Sequence, residues 1–147
     1  MPAECEFRPR RAVRVAWILF AAVWIGVAIL LVLSWTVLIH FGPVDRILTV
    51  VFAGVGSFII LRQALVRALP SDKGLSVRNL MTTTFVEWEE IVSVNFSVHR
   101  PWVSLDLADG DTLAVMAIQS ADGEFGRREA QRLADLVAKH EGTDPIG

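Results

Sequence analysis

Glu87, Glu89 and Glu90, in "VEWEEIVSV", form the densest group of carboxylates in the chain. Paired carboxylates do acid–base work when their environments hold their pKa values apart. No nucleophile, metal-ligand set or phosphate-binding loop adjoins them in sequence, so a solvated turn is the simpler reading. The three histidines, His40, His99 and His140, fall in three separate elements and none has a zinc-ligand spacing. The single cysteine, Cys5, excludes an intrachain disulfide, and "MPAEC" lacks the apolar run that precedes a lipoprotein cysteine. "ADGEFG" has neither the glycine spacing nor the preceding strand of a dinucleotide fingerprint, and no nucleophile elbow or Walker loop is present. The expectation is a chain that is not an enzyme, with no catalytic, cofactor or metal site.

Positive charge offers a different chemistry. Arg62, Arg67, Lys73 and Arg78 stand against Asp72 alone, whereas residues 79–147 hold five basic and twelve acidic residues, a net of −7. Each Lys or Arg close to an anionic leaflet contributes about 1 kcal/mol of attraction. Arg62, Arg67, Lys73 and Arg78, with Arg100 in "SVHRPW", are therefore candidate lipid-facing residues. Topology explains the same arginines without lipid recognition. The acidic remainder disfavours nucleic acid, whose phosphates it would repel.

These residues must be positioned by two unlike halves. The chain is 53% hydrophobic, and most of its apolar residues precede Pro70. Val15 to Ile39 contains no charge, which exceeds the roughly 20 apolar residues a helix needs to cross a bilayer. Its length and the lack of a cleavage site argue against a signal peptide. Trp17 and Trp35 lie near its ends, where indoles favour the interface. "HFGPVDR" breaks the run, Pro43 suits the first turn of a second helix, and Ile47 to Leu61 continues it. That second run is short, and Arg46 and Arg62 can lengthen it by extending their charges toward headgroups. The spacing predicts a transmembrane hairpin over 15–69, with helices about 15–39 and 44–68, after a basic segment over 1–14. Ala22 and Gly26, and Ala53 and Ser57, recur at four-residue spacing and suit packing within that hairpin. Arginines flank both outer ends, while the connecting loop holds Arg46 offset by Asp45. Both termini should therefore face the cytoplasm, in the plasma membrane.

After "SDKG" the period changes. Leu75 and Val77 share one face, and Asn79 joins it by the same alternation; Phe85–Trp88 and Val92–Val98 are further β-rich runs. Residues 102–118, "WVSLDLADGDTLAVMAI", read as a hairpin turning at Asp109-Gly110. Val103, Leu105 and Leu107 face one way there, with Ser104 and Asp106 opposite. Phe125, Leu133, Leu136, Val137 and His140 then mark the apolar stripe of a closing helix. Asp122 is expected to cap its start and Gly142 to stop it, leaving a flexible tail over 142–147.

Strands followed by one amphipathic helix suggest a curved antiparallel sheet plugged by that helix. "GLSVRNLMTTTFVEWEEIVSVNF", "PWVSLDLADGDTLAVMAIQ" and the helix together resemble bacterial pleckstrin-homology-like (PH-like) domains. They resemble in particular the short actinobacterial class typified by low-molecular-weight protein antigen six. Trp88, Ile91 and Val94 match its W-x-x-I-x-x-V signature, and Trp102, Leu105, Leu107, Asp109, Gly110, Leu133 and Leu136 complete the expected core and turn. The resemblance covers residues 71–141 as a domain. It implies an α+β membrane protein: a two-helix hairpin followed by a small PH-like antiparallel barrel or sheet capped by a C-terminal helix. About five strands can be named where that fold has more. Either the Leu69-to-Lys73 segment supplies an edge or the barrel is abbreviated.

Two functions are open on this reading. One is an interaction or assembly module whose exposed edges bind a protein partner or a second copy. The other is recognition of anionic headgroups by the bilayer-facing cations. The eukaryotic phosphoinositide loop does not carry over, because "RNLMTTT" offers only Arg78.

Overall fold

The computed structural model describes residues 6–36, 41–97 and 99–141. The chain divides into two compact units. One is built from residues 12–64, and the other joins the residues up to Arg11 with those from Leu65 onward.

The first unit is a pair of helices, α1 (Arg10–Leu33) and α2 (Pro43–Ala64), both long and apolar enough to cross a membrane. α1 begins five residues before the expected Val15, since arginines are good helix formers. It ends at Leu33 rather than Ile39, where the Ser34 and Thr36 hydroxyls donate to the Leu31 and Leu33 carbonyls (2.7 and 2.6 Å). Residues 37–40, with His40, lie outside the described residues. α2 opens with Pro43 at its first position and the Gly42 N–H donating to the Asp45 carboxylate (2.9 Å), which satisfies one of the orphan donors of the first turn. Ala53 and Ser57 are buried, and the Trp24 indole N–H donates to Ser57 Oγ (3.0 Å) across the pair. Ala22 and Gly26, by contrast, are exposed and take no part in that packing. Arg46 reaches the Ser34 carbonyl (3.1 Å) and covers the Trp35 ring (4.7 Å), so its charge is used to close the α1–α2 connection.

Among the described residues, the second unit contains six strands and one α-helix. β1 (Arg67–Pro70), β2 (Gly74–Arg78) and β3 (Thr83–Glu87) form one antiparallel sheet. β4 (Ile91–Asn95), β5 (Trp102–Leu107) and β6 (Thr112–Gln119) form the other, in chain order. α3 (Glu124–Glu141) packs against β4 and β6. The second helix expected over 44–68 therefore stops at Ala64, because "LVRALP" alternates: Val66 and Ala68 are fully buried, while Leu65, Arg67 and Leu69 turn outward. That alternation supplies the missing edge strand. Val98, at the end of the β-rich run now seen as β4, lies outside the described residues, as do Cys5 and the segment from Gly142 on.

The sheet does not end at β1. Phe7 bridges to Ala68, its N–H donating to the Ala68 carbonyl (2.9 Å) and its carbonyl accepting the Ala68 N–H (3.0 Å). The Phe7 ring is wholly buried in the core with Val66, Ala68, Leu75, Val77, Val86, Trp88, Ile91, Val103, Leu105, Val115 and Leu133. The Arg132 guanidinium covers it at 4.1 Å. The segment expected to be only a basic flank thus contributes a core residue. Asp122 is also reassigned. It lies buried in a 3-10 turn (Ser120–Asp122), and its carboxylate accepts the Arg11 N–H (2.9 Å) instead of capping α3. Arg11 also donates to the Ala121 carbonyl (2.8 Å), and Arg10 lies over the Phe125 ring (4.1 Å).

Where the two sheets meet, side chain replaces ladder. Asn79, in the β2–β3 loop, donates to the Ala114 carbonyl (2.7 Å) and accepts the Met116 N–H (3.1 Å), pairing the free edge of β6. α3 turns Gly126, Ala130, Leu133 and Val137 inward; Leu136 is only partly buried. Gly126, a weak helix former on sequence grounds, has its reason here: a Cβ would collide with the Gln119 carbonyl.

Candidate functional site

Trp88 opens a 3-10 turn (Trp88–Glu90) between β3 and β4. It is 4% exposed, donates its indole N–H to the Ser71 carbonyl (2.8 Å), and stacks on His140 from the last turn of α3 (4.6 Å, 13°). Ile91 is buried and Val94 packs against the core, so the W-x-x-I-x-x-V residues act together as an anchor. His140 donates from Nδ1 to the Leu136 carbonyl (2.8 Å). Around this pair lies a groove of about 400 Å³ lined by Asp72, Lys73, Glu87, Trp88, Glu89 and His140.

The carboxylates here have structural uses. The Glu90 carboxylate accepts the Glu87 N–H (2.9 Å) and so caps the 3-10 turn. The Ser71 hydroxyl donates to the Gly74 carbonyl (2.8 Å), which leaves it unactivated as a nucleophile. Among the described residues, no three His, Cys, Asp or Glu side chains are grouped to hold a metal ion.

The expected β5–β6 hairpin is present. Gly110, at φ 91°, is its sole left-handed residue among those described, and its N–H donates to the Leu107 carbonyl (2.9 Å). Asp109 Oδ1 accepts the Asp111 N–H (3.0 Å) beside it. Leu105 is fully buried and Leu107 partly so, but Trp102 is only half-buried at the start of β5. Asp106 sits at a second cavity of about 390 Å³, lined also by Asn95, Phe96, Ser97, Arg100 and Thr112. Hydrogen bonds from Ser93 (2.7 Å) and Asn95 (2.6 Å) hold its carboxyl below the ordinary value, helped by Thr112 and Arg100 and opposed by desolvation.

The five candidate cations separate. Arg67 and Arg78 are direct cross-strand neighbours on β1 and β2. Lys73 lies in the turn at the other end of that hairpin, by the acidic groove. Arg100 donates to Ser104 Oγ (3.1 Å) in the β4–β5 connection, and Arg62 belongs to the helical unit, near the Phe58 ring (5.9 Å). Arg62, Arg67, Lys73 and Arg78 are close in sequence and Arg100 is not; strand pairing brings only Arg67 and Arg78 together. Leu65, Leu69, Met81 and Phe85 are exposed apolar residues of this region; the alternation across 65–69 signals the first two, and the Phe85 ring leans over Gly74 at the end of β2 away from Arg78.

Residues 71–136 match the family model described as bacterial PH domain. Uncharacterised proteins of Mycobacterium bovis and Mycobacterium tuberculosis are 37% identical to the chain over 67 residues. That match covers 46% of this chain and 44% of each relative, so the chain spans less than half the length of the curated relatives it matches. No solved structure matches.

Proposed function

Starting from a bacterial PH-like domain at residues 71–136, we propose that the chain is a non-enzymatic integral membrane protein whose helical pair holds that module against the cytoplasmic leaflet for interaction and assembly. The observation that carries this reading is the Phe7–Ala68 bridge. It ties a residue just upstream of α1 to one just downstream of α2 within one unit, so a chain entering the membrane after Arg11 returns to the same side before Leu65. Two crossings satisfy that closure and one does not.

Charge supports the orientation. Arg8, Arg10, Arg11 and Arg14 precede or open α1 and Arg67, Lys73 and Arg78 follow α2, against Arg46 and Asp45 in the α1–α2 connection. The module role is supported by two terminal strands, β3 and β4, each at one end of its sheet. Such edges can accept a partner's strand through backbone hydrogen bonds. Val92 on β4 and Phe85 on β3 are exposed apolar side chains beside them.

The test uses the full chain in its own membranes with a photo-crosslinking residue at Val92, and separately at Glu89. A discrete adduct with one other protein, or with a second copy, is expected at Val92. Adducts with lipid alone at both positions would refute the assembly role. Topology is checked on a Cys5→Ala background. A cysteine at Val44 should react with an impermeant thiol reagent in intact cells, and one at Glu89 should not.

A further inference from the structure

We propose that the module pairs with a second copy of itself through the free edge of β3, the two strands antiparallel about Phe85. This deepens the assembly reading and rests on it, by naming the edge, the partner and the register. The edge is singled out by what happens at the others. β1 is continued by the Phe7–Ala68 bridge, and the outer edge of β6 is taken by the Asn79 side chain. β4 has an irregular register between Ile91 and Ser93, and such bulges blunt an edge against further pairing. β3 pairs with β2 without interruption from Thr83 to Glu87, has no strand on its other side, and contains neither proline nor lysine. Its Thr83, Thr84 and Phe85 are exposed, and threonine, phenylalanine and valine suit a strand. Among the described strands it is the one left regular, bare and uncharged until its last residue.

The β2–β3 ladder fixes which backbone groups are free. The Asn79 N–H donates to the Thr82 carbonyl (2.8 Å) at one end of it, and the Trp88 N–H to the Lys73 carbonyl (3.4 Å) at the other. Bonded and non-bonded pairs alternate along an antiparallel ladder, so Val77–Thr84 and Leu75–Val86 are the bonded ones. Thr83, Phe85 and Glu87 therefore direct their backbone groups away from β2. In a two-fold pair each contact is made twice, residue i with j and j with i. Centred on Phe85, the midpoint of β3, the two Phe85 residues exchange N–H and carbonyl, and each Thr83 N–H meets the second copy's Glu87 carbonyl. The Glu87 N–H is already held by the Glu90 carboxylate (2.9 Å), which ends the pairing there.

Charge agrees with this register. Arg78, Thr83 and the second copy's Glu87 fall in one row, and the two Phe85 side chains are neighbours in the next. Arg78 and that Glu87 stand two strand spacings apart, roughly 10 Å between backbones, with only the short Thr83 between them. Among the described residues, neither Arg78 nor Glu87 is in an ion pair. Phe85, 52% exposed, gains cover from its own equivalent. A slip of two residues would put Glu87 opposite Met81 in the β2–β3 loop and lose the match. About four backbone hydrogen bonds make a small contact beside the roughly 1,600 Å² of a standard interface. The pair forms where a shared membrane concentrates the chain, and the module alone stays monomeric in dilute solution.

The experiment oxidises native membranes holding the full chain, on a Cys5→Ala background, with Phe85→Cys. Hydrogen-bonded antiparallel neighbours have Cα atoms about 5.5 Å apart, a separation that a disulfide bridges. Thr83→Cys and Glu87→Cys, each alone, set the baseline for chance collision, since in this register neither meets its own equivalent. Expressed together under different tags, those two should join to each other, with Phe85 left in place. Disulfide dimer at position 85, and between positions 83 and 87, should exceed the baseline about fivefold or more. Glu87→Arg added to Phe85→Cys should lower the yield about fivefold, because like charges then lie side by side. Arg78→Glu added to that variant should restore it. A yield at position 85 no higher than the baseline overturns the inference, as does one that Glu87→Arg leaves unchanged. Stronger self-joining at Val92→Cys than at Phe85→Cys moves the contact to β4 and overturns it too. A discrete photo-adduct of Val92 with another protein, beside a baseline yield at position 85, overturns the β3 pair alone. Lipid adducts only, with that same baseline yield, overturn the assembly reading as well.

Discussion

Replacing Phe7 with Ala removes one ring from a segment that precedes α1, yet its effect should appear in the sheet that follows α2. The ring is fully buried, lies in the core cluster and is covered by Arg132 at 4.1 Å. Phe→Ala changes in cores cost about 3–5 kcal/mol through lost transfer energy and the residual cavity. The two backbone hydrogen bonds to Ala68 survive the substitution, and the segment, lying at the sheet's edge, can partly collapse. About 3 kcal/mol is therefore the expected loss. For a domain of 60–100 residues each kcal/mol lowers the midpoint by about 4–8 °C, so the drop should exceed roughly 12 °C.

Thermal unfolding of the full chain in mild detergent, followed by hydrogen exchange resolved along the sequence, measures it. Protection should fall in β1 and β2 and in α3, and stay unchanged in α1 and α2. Phe7→Leu, nearer in volume, should cost less than about 1.5 kcal/mol. A loss under about 1 kcal/mol for Phe7→Ala, with β1 protection intact, would show that the segment decorates the module and does not complete it. The argument for two membrane crossings would then lose its support.

Asn79→Ala removes both hydrogen bonds to the β6 edge and should cost about 1–3 kcal/mol, because two backbone groups lose their partner; faster exchange of the Met116 amide is the direct readout. Gly126→Ala, which in an exposed helix would gain up to about 1 kcal/mol, should instead destabilise by about 1–3 kcal/mol as the Cβ meets the Gln119 carbonyl, measured by denaturant midpoint. The Asp106 carboxyl is held low in the folded state by Ser93 and Asn95, so protons bind the unfolded chain more readily. Its contribution is present above the unfolded value of about 3.9 and is lost as pH falls through the lower folded value. Asp106→Asn should flatten that acid limb of the stability profile, and an unchanged slope would remove the carboxylate from the account.

What the sequence disclosed and what it hid divide along one line, the distance over which a pattern must be read. β2, β5 and β6 announce themselves by alternation within a few residues, and the β5–β6 turn by a glycine in place. α3 shows its stripe, and Trp88, Ile91 and Val94 show their spacing. β1 is four residues long and directly follows a hydrophobic helix, so an apolar window absorbs it. Phe7 is one aromatic among arginines, and nothing local says it pairs with Ala68. The Asp122 carboxylate looks like a cap for the nearest helix, and its partner Arg11 is 111 residues away. Arg67, Lys73 and Arg78 are close in sequence, yet the β1–β2 hairpin puts Lys73 at the end opposite Arg78. Local periodicity reports which face a residue takes; it cannot report which edge closes on which.

That difference decides where the module begins. Composition places the boundary near residue 71, the same residue at which the family match starts. A fragment of residues 71–141 would nonetheless lack β1, expose the edge of β2 that β1 covers, and omit Phe7, Val66 and Ala68 from the core. An uncovered, half-apolar strand edge pairs with other chains. The fragment should therefore sediment as aggregates or give poorly dispersed amide spectra. Joining residues 6–11 by a short glycine-serine linker to residues 65–141 should restore a soluble monomer, because it supplies β1, the Phe7–Ala68 bridge and all three core side chains without the membrane-spanning pair. A well-dispersed, monomeric 71–141 fragment would mean that the sheet is sufficient without its N-terminal closure. The helical pair would then be a simple tether and not an insertion within the module.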